Sequence, residues 1–236
     1  MNHYRIRYSK RAKRLQMRID YRGLEVIVPH NRRYPTSIIQ QFIQEKEPWV
    51  KAHLPPHFFH EDPITTALPS EINLKAIQQI WRLRHVPTSI SMVKLIANLN
   101  HEISLIGNIS NPKACVQQIK RWLKGLANFH FHHRMQQLAH QTGLHFNGLS
   151  VRWNTNRWGS CSEKKHIVLC CRLLFLAPEL ADHVMLHELC HTNLLNHSKA
   201  FWQLLQQHDH NMRVHKKALA LASQSLPAWL YHDLNA

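Results

Sequence analysis

The stretch MLHELCHTNLLNHSKAFW, residues 185–202, contains three histidines whose spacing guides the interpretation of the whole chain. His187 and His191 belong to an HExxH pattern. On an α-helix, residues four apart lie only ~40° apart around the axis, so both imidazoles project from one face towards a common point. Glu188 lies ~100° round from His187, where it can approach a bound water without binding the metal itself. The pattern therefore predicts a helix that carries two metal ligands and a base.

A catalytic zinc takes three protein ligands and leaves the fourth coordination position open. His197 follows His191 after five residues and is the predicted third ligand. The intervening TNLLN contains two asparagines, which favour the end of the helix and a turn that brings His197 back towards the metal. The alternative is that His197 is an ordinary surface residue near the start of the next helix. We predict a Zn²⁺ site made of three histidines.

The bulk composition is that of a globular protein. The chain has 236 residues, of which 44% are hydrophobic and 19% charged. No apolar run approaches the ~20 residues of a membrane span, and no signal-peptide core follows the basic N-terminus. The five cysteines are odd in number and include no CxxC pair, so we expect reduced thiols. A cytoplasmic protein without a membrane partner is the expectation.

The charge distribution is strongly basic, with a formal net charge of +16. Residues 1–33 hold ten Lys or Arg and only two acidic residues, Asp20 and Glu25. Such a surface attracts nucleic acid or nucleotides, although no recognised nucleic-acid-binding motif accompanies it. The alternative is a solvated basic surface without a partner. Both hypotheses stay open.

Local patterns predict the elements of the N-terminal part. Residues 14–28 alternate apolar and polar around a DYRG turn, which predicts a β-hairpin with one buried face. Residues 37–47 have a helical apolar stripe, and Pro48 should end or kink that helix. Residues 53–70 are rich in Pro and His and predict a loop. Three short strand candidates follow, over 77–86, 91–99 and 102–107.

Longer helices and a second β-rich stretch occupy the C-terminal part. A long helix is predicted to open at Asn111-Pro112 and to end at Gly143, and residues 149–177 are β-rich. Pro178 begins the helix that carries the HExxH pattern. The sequence therefore predicts an α+β fold in two parts, a basic β-rich part over 1–110 and a catalytic part over 111–236.

Three motifs together resemble a known family. RWGSCS at 157–162, HELCH at 187–191 and NHSKAFW at 196–202 are similar to those of the YgjP-like metallopeptidase family, which is related to the small SprT and WLM metallopeptidases. The similarity extends over roughly residues 4–225. It implies a zincin-like catalytic half in which His187, His191 and His197 bind zinc and Glu188 is the catalytic base.

Two features depart from the family pattern. LCCRL at 169–173 stands where relatives have a sequence like LNWRL, so two thiols replace a polar and an aromatic residue. Pro48 interrupts the EKxxW element at 45–49. We expect the first change to alter packing or substrate contacts beside the zinc helix, and neither change touches a predicted ligand.

The predicted activity is that of a zinc-dependent hydrolase, most simply a metalloendopeptidase acting on a protein or peptide. Zinc would activate a water, and Glu188 would take its proton and pass it to the leaving amine. One alternative is a zinc-dependent hydrolase of phosphoanhydrides in nucleotides, which the positive charge favours. The other is a nucleic-acid-binding protein with a structural zinc.

Supporting residues are predicted only as sets of candidates. A donor for the developing oxyanion could be Arg152, Arg157, His166 or Tyr231, and the sequence does not choose among them. Asp182 and Asp209 are candidates for a carboxylate that orients a ligand imidazole.

Overall fold

The computed structural model describes residues 4–20, 23–53, 68–154, 157–227 and 229–230. They form two compact units: the first consists of the described residues up to 53 and from 223 onwards, and the second of residues 68–222. This division reflects only how compactly the chain packs, and it does not test where the two functional parts meet. The predicted functional boundary at residue 110 stays a prediction. Within the described residues no helix combines the length and apolarity needed to cross a bilayer.

The first unit contains a three-stranded sheet. Its strands are β1 (Tyr4–Ser9), β2 (Gln16–Asp20) and β3 (Gly23–Pro29), in the order β1-β3-β2. β2 and β3 pair antiparallel, with Met17 opposite Val26, which confirms the predicted hairpin. β1 pairs with β3 in parallel. This parallel neighbour was not predicted, because a hairpin pattern carries no information about a third strand.

Two short helices follow the sheet, α1 (Thr36–Glu45) and α2 (Glu47–His53). The break between them lies at Lys46, as expected from Pro48, which is accommodated in the first turn of α2. Ile39 and Ile43 on α1 pack with Val26 and Val28 of β3, so the apolar stripe of α1 covers the buried face of the sheet. Most of the predicted loop over 53–70 lies outside the described residues.

The second unit begins with a four-stranded sheet in the order β4-β5-β7-β6. The strands are β4 (Glu71–Leu74), β5 (Gln79–Pro87), β6 (Lys94–Ala97) and β7 (Glu102–Gly107). The three predicted strand candidates are present as β5, β6 and β7, whereas β4 was missed. β5 and β7 pair in parallel, and the other pairs are antiparallel.

The long helix α3 (Pro112–Thr142) starts and ends at the residues that its sequence indicated. Asn111 caps it, since its side chain accepts a hydrogen bond from the backbone N–H of Ala114 at 3.0 Å. Gly143 ends it in the left-handed conformation with φ 70°.

A second three-stranded sheet and three helices complete the second unit. The strands β8 (Gly148–Arg152), β9 (Gly159–Cys161) and β10 (His166–Cys170) have the order β8-β10-β9, so β9 is an edge strand. A 3-10 turn over Cys171–Phe175 leads to the helices α4 (Pro178–Cys190), α5 (Lys199–His208) and α6 (Met212–Leu221). With sheets concentrated in the N-terminal half and helices in the C-terminal half, the predicted α+β class is confirmed.

Candidate active site

Helix α4 places the first two histidines of the site. Pro178 lies in its first turn, where a missing N–H costs nothing, and His191 is the residue at its C-terminal cap. The backbone N–H of His191 donates to the carbonyl of His187 at 3.2 Å, so the helical spacing holds up to the second histidine. The two rings therefore lie on the same face, with centroids 4.7 Å apart.

The third histidine comes from the connection between α4 and α5. The chain turns directly after His191, where the hydroxyl of Thr192 donates to the carbonyl of Leu189 at 2.7 Å. Ser198 then caps α5 by accepting from the backbone N–H of Phe201. His197 stands just before that cap. The helix thus ends at Cys190, earlier than the predicted end within residues 192–196, whereas the predicted turn that leads back to His197 is present.

The three imidazoles converge through their Nε2 atoms. Nε2 of His191 is 3.1 Å from Nε2 of both His187 and His197, and the remaining Nε2 pair is 3.0 Å apart. The centre of such a triangle is about 1.8 Å from each nitrogen, close to the 2.0–2.1 Å of zinc–imidazole bonds. The three residues form a group that could hold a metal ion.

Protonation of the rings favours metal binding over mutual hydrogen bonds. Nδ1 of His191 donates to the backbone carbonyl of Leu194 at 3.0 Å, so in the neutral ring its Nε2 carries a lone pair. Burial, followed by the neighbouring imidazoles, lowers the pKa of His187 to about 3, and burial also lowers the pKa of His191. Because both rings are neutral at neutral pH, the donor set fits a zinc ion.

Aromatic side chains at the start of α5 hold the three rings in place. Phe201 is fully buried and stacks on His191 with centroids 4.5 Å apart, and it also meets His187 and His197 edge-on at 4.9 Å. Trp202 stacks on His197 at 5.4 Å. The contacts of these two aromatic residues were not predicted, although FW in the SKAFW segment is the signal that could have indicated them.

Glu188 lies beside the three histidines as a buried carboxyl. It is only 5% exposed, and its Oε2 atom has no hydrogen-bond partner. Burial raises the pKa of Glu188 to about 8, and the charge of Arg157 opposes the shift. Desolvation disfavours the ionised form and a positive charge beside the carboxyl favours it, so Glu188 could act as a general base with a cation bound at the three histidines.

Gly159 of β9 packs directly against that carboxyl. A Cβ atom at this position would lie 2.7 Å from Oε1 and 2.8 Å from Cγ of Glu188. Distances of this size force one of the two groups to move. The glycine of the RWGSC motif is therefore required by the close approach of β9 to helix α4.

Gly159→Ala is expected to displace the carboxylate of Glu188 without removing a histidine. Hydrolysis should fall by about 10²-fold, the typical cost of a displacement of ~1 Å, while zinc content stays unchanged. The variant Gly125→Ala is a suitable control, because a Cβ at Gly125 meets nothing within 4 Å. Metal analysis and one activity assay on both variants test the prediction, and full activity of Gly159→Ala would contradict it.

The comparisons with known proteins agree with these motifs. The family model of the YgjP-like metallopeptidase domain matches residues 13–222. The chain belongs to the YgjP-like metallopeptidase family. Neither a curated protein nor a solved structure matches it. A metallopeptidase family implies a metal ion and a hydrolase.

The RWGSC turn of this YgjP-like domain is held by a buried arginine that was not predicted as a site residue. Arg172 is 7% exposed, and its guanidinium lies over the ring of Trp158 at 4.8 Å from the centroid. Its Nε donates to Sγ of Cys170 at 3.3 Å. Cys170 and Cys171, the departure in LCCRL, are both fully buried. They lie at the end of β10 and at the start of the 3-10 turn, and the expected change in packing or substrate contacts stays a prediction.

The candidate oxyanion donors have different surroundings. Arg157 is exposed, and it is the residue whose charge acts on Glu188. Arg152 is exposed at the end of β8. His166 shares a hydrogen bond of 2.8 Å with the hydroxyl of Ser150. Tyr231 lies outside the described residues.

Neither candidate carboxylate contacts the three-histidine group. Asp182 accepts two hydrogen bonds from Arg134, at 2.6 and 2.9 Å. Asp209 accepts through Oδ2 from Nδ1 of His183 at 2.6 Å and from Nδ1 of His215 at 3.0 Å. The hydrogen-bond acceptor that orients His191, a predicted ligand, is instead the backbone carbonyl of Leu194.

The second histidine group, His183, Asp209 and His215, also satisfies the distances of a metal site. A carboxylate oxygen that accepts from two N–H groups is already satisfied, so we interpret the group as a hydrogen-bond network. It ties α4 to α6, because His183 lies on α4 and His215 lies on α6. His183 is one turn before His187. The spacing of four residues between His183 and His187 could have indicated that they share one face of the helix.

Asp209→Ala is expected to lower the free energy of unfolding by about 1–3 kcal/mol, because the buried N–H of His183 loses its acceptor. Urea unfolding of the metal-free protein measures the change. Asp182→Ala is the control, since its ion pair with Arg134 is more exposed and should contribute less than about 1 kcal/mol. Equal losses of unfolding free energy in the two variants would show that the buried network contributes no more to stability than the exposed ion pair.

Proposed function

We propose that this protein is a zinc metallopeptidase that hydrolyses internal peptide bonds. His187, His191 and His197 hold the metal in this proposal, and Glu188 is the general base. The observation that carries it is the convergence of three Nε2 atoms beside a buried carboxyl with an unpaired oxygen. Zinc bound there supplies Lewis-acid chemistry, since it polarises a carbonyl and lowers the pKa of water.

The proton transfer and the stabilisation of the oxyanion are assigned to residues of this chain. Oε2 of Glu188 has no protein partner, so it is available to accept a proton from water and to deliver it later to the leaving amine. Gly159 leaves just enough room for this carboxyl and limits its movement. The guanidinium of Arg157 acts electrostatically on the same carboxyl and is our choice as the donor for the developing oxyanion.

The edge of β9 that, within the described residues, pairs with no strand is the proposed binding surface for the substrate backbone. Ser162 N–H donates to His166 at 3.0 Å, and Cys170 N–H donates to Trp158 at 2.8 Å, so alternate residues of this segment face β10. The backbone groups of the residues between them, Gly159 and Cys161, point the other way. An extended peptide can add to such an edge through main-chain hydrogen bonds, next to Glu188.

A substrate panel tests the proposed reaction. Zinc-loaded protein should cleave an unfolded polypeptide such as reduced casein, and metal-free protein should not. A parallel panel of nucleoside triphosphates addresses the phosphoanhydride alternative. Release of phosphate or pyrophosphate without peptide cleavage would overturn the proposal, and the absence of both activities with one zinc per chain would favour a structural zinc.

Cys161 offers a probe of the same edge. It is partly exposed, whereas the other four cysteines are buried. Burial, and then the charge of Glu188, raises the pKa of Cys161 from 9.0 to about 11. At neutral pH the native protein should therefore react with iodoacetamide at Cys161 alone, about 100-fold more slowly than an unperturbed thiol, and about tenfold faster for each added pH unit.

Peptide mapping by mass spectrometry identifies the alkylated thiol, with the unfolded protein as the control in which all five react. A peptide substrate added to the Glu188→Gln protein should slow the alkylation of Cys161 further. If a bound peptide leaves the rate unchanged, the substrate does not run along β9.

A further inference from the structure

A groove of about 620 Å³ lies on the first unit, lined by residues from the start of β2, from α1 and from α2. Its volume falls within the 300–1,000 Å³ of typical ligand pockets. The proposed hydrolase chemistry does not use it. All the residues of the proposed metal site belong to the second unit, so the two sites can be tested independently.

The floor of the groove is apolar and partly open to solvent. It consists of Leu15, Met17 and Phe42, which pack on the buried core of the first unit but are themselves only half-buried. Trp49 on α2 forms one side and is 39% exposed. A wide aromatic ring at the mouth of an apolar floor offers a flat surface for stacking.

The rim of the groove carries two exposed cations, Arg14 and Lys46. Within the described residues no carboxylate lies at ion-pair distance from either of them. Arg11 and Lys13, in the connection from β1 to β2, are exposed as well. The positive charge thus continues from the groove along the chain beside it.

Among the described residues of the first unit, two acidic side chains pair with cations other than Arg14 and Lys46. Glu25 accepts from Arg7 at 3.2 Å and lies 3.8 Å from Arg5, so these two arginines of β1 are engaged elsewhere. Glu47 pairs with Lys51 at 3.0 Å. In the described part of the first unit, Glu25 and Glu47 therefore leave Arg14 and Lys46 available to an anionic ligand.

We propose that this groove binds single-stranded nucleic acid, with bases stacked on Trp49 and the apolar floor and phosphates held by Arg14 and Lys46. Stacking faces combined with a basic track are the recurring basis of single-strand binding. A duplex keeps its base faces inside the stack, and the carboxylate side chains of an acidic peptide have no flat ring to place on the tryptophan. The cations at residues 11–14 extend the track, which fits several successive phosphates better than one nucleotide.

Fluorescence anisotropy with a labelled oligo(dT) of about 12 nucleotides tests the proposal on the full zinc-loaded chain, since single-strand sites span ~4–16 nucleotides. Affinity should fall steeply between 50 and 200 mM salt. Trp49→Ala should weaken binding by about 5- to 150-fold, and Trp49→Phe should keep it within about threefold because the ring remains. Arg14→Gln with Lys46→Gln should cost at least about tenfold at low salt.

The matched control is Arg32→Gln with Arg33→Gln, which removes two exposed cations of the same unit outside the groove. It should weaken binding by no more than about twofold. Equal losses in the two double variants would overturn the proposal in favour of diffuse attraction. It would also fail if a 12-base-pair duplex bound as tightly, if polyglutamate competed as well as oligo(dT), or if no oligonucleotide bound at 50 mM salt. Unchanged binding by Trp49→Ala would likewise exclude stacking. If Trp49→Ala does not fold, Trp49→Phe and the double variants decide the question.

Discussion

Glu188→Gln is expected to retain about one zinc per chain and to lose hydrolysis by about 10²–10⁴-fold, the typical magnitude for removal of a general base. The amide has nearly the same shape as the carboxyl, so the contact with Gly159 and the three histidines should persist. It cannot accept the proton that Oε2 is placed to take. Metal analysis by mass spectrometry and a peptide-cleavage assay on the same preparation measure both quantities.

Glu179→Gln is the matched control on α4, because that glutamate lies exposed in the first turn of the helix. It should leave zinc content and activity unchanged. A fully active Glu188→Gln protein would exclude the proposed mechanism. Loss of zinc from Glu188→Gln would instead indicate that the carboxylate binds the metal, and the ligand assignment would have to be revised.

His197→Ala is expected to lower both zinc content and thermal stability. The ring contributes one of three converging Nε2 atoms, so its loss should weaken zinc binding by more than the 10–100-fold that removal of an outer hydrogen-bond partner usually costs. Zinc at 100 times its Kd adds about 2.7 kcal/mol to folding, and this contribution disappears with the site. Zinc titration and thermal unfolding with and without metal measure the two effects.

His140→Ala controls for the many other histidines of the chain, since His140 is exposed on α3 and far along the sequence from the site. It should keep the affinity and the zinc-dependent rise in melting temperature. If His197→Ala kept full zinc, the third ligand would be misassigned. In the metal-free state His197→Ala and His140→Ala should melt within a few degrees of each other, because the side chain of His197 is exposed.

Elements with strong local signals could be predicted from the sequence. Asn111 and Gly143 cap α3 at the expected positions, because an Asn side chain satisfies a free N–H and a glycine adopts positive φ without strain. Pro48 separates α1 from α2 for an equally local reason, the absence of an N–H donor. The hairpin of β2 and β3 followed from alternation around a turn.

Strand pairing over longer distances could not be predicted. β1 lies parallel to β3, and β5 parallel to β7, and neither pairing leaves a mark in the residues between them. β4 is only four residues long and precedes a 3-10 turn, so its alternation is too short to detect. These pairings depend on which surfaces the whole chain can bury together.

Within the site, the sequence by itself determined which residues share a helical face. His187 and His191 are four residues apart, so helical geometry alone aligns their rings, and it places Glu188 beside them. His197 was predicted from the need of a catalytic zinc for a third ligand and from its position five residues after His191, and the family resemblance supported it. The assignment of zinc and of a base to these residues stays a prediction until the two variants are measured.

Only the tertiary structure decided how closely the groups of the site meet. The Nε2 atom of His197 comes within 3.1 Å of the other two because the chain turns after α4 and Phe201 packs against all three rings. Glu188 acquires a raised pKa because β9 covers it, and Gly159 makes that approach possible. Asp209 joins α4 to α6 rather than supporting a ligand. Periodicity specifies directions within one element, whereas distances and burial depend on how separate elements pack, which no local pattern contains.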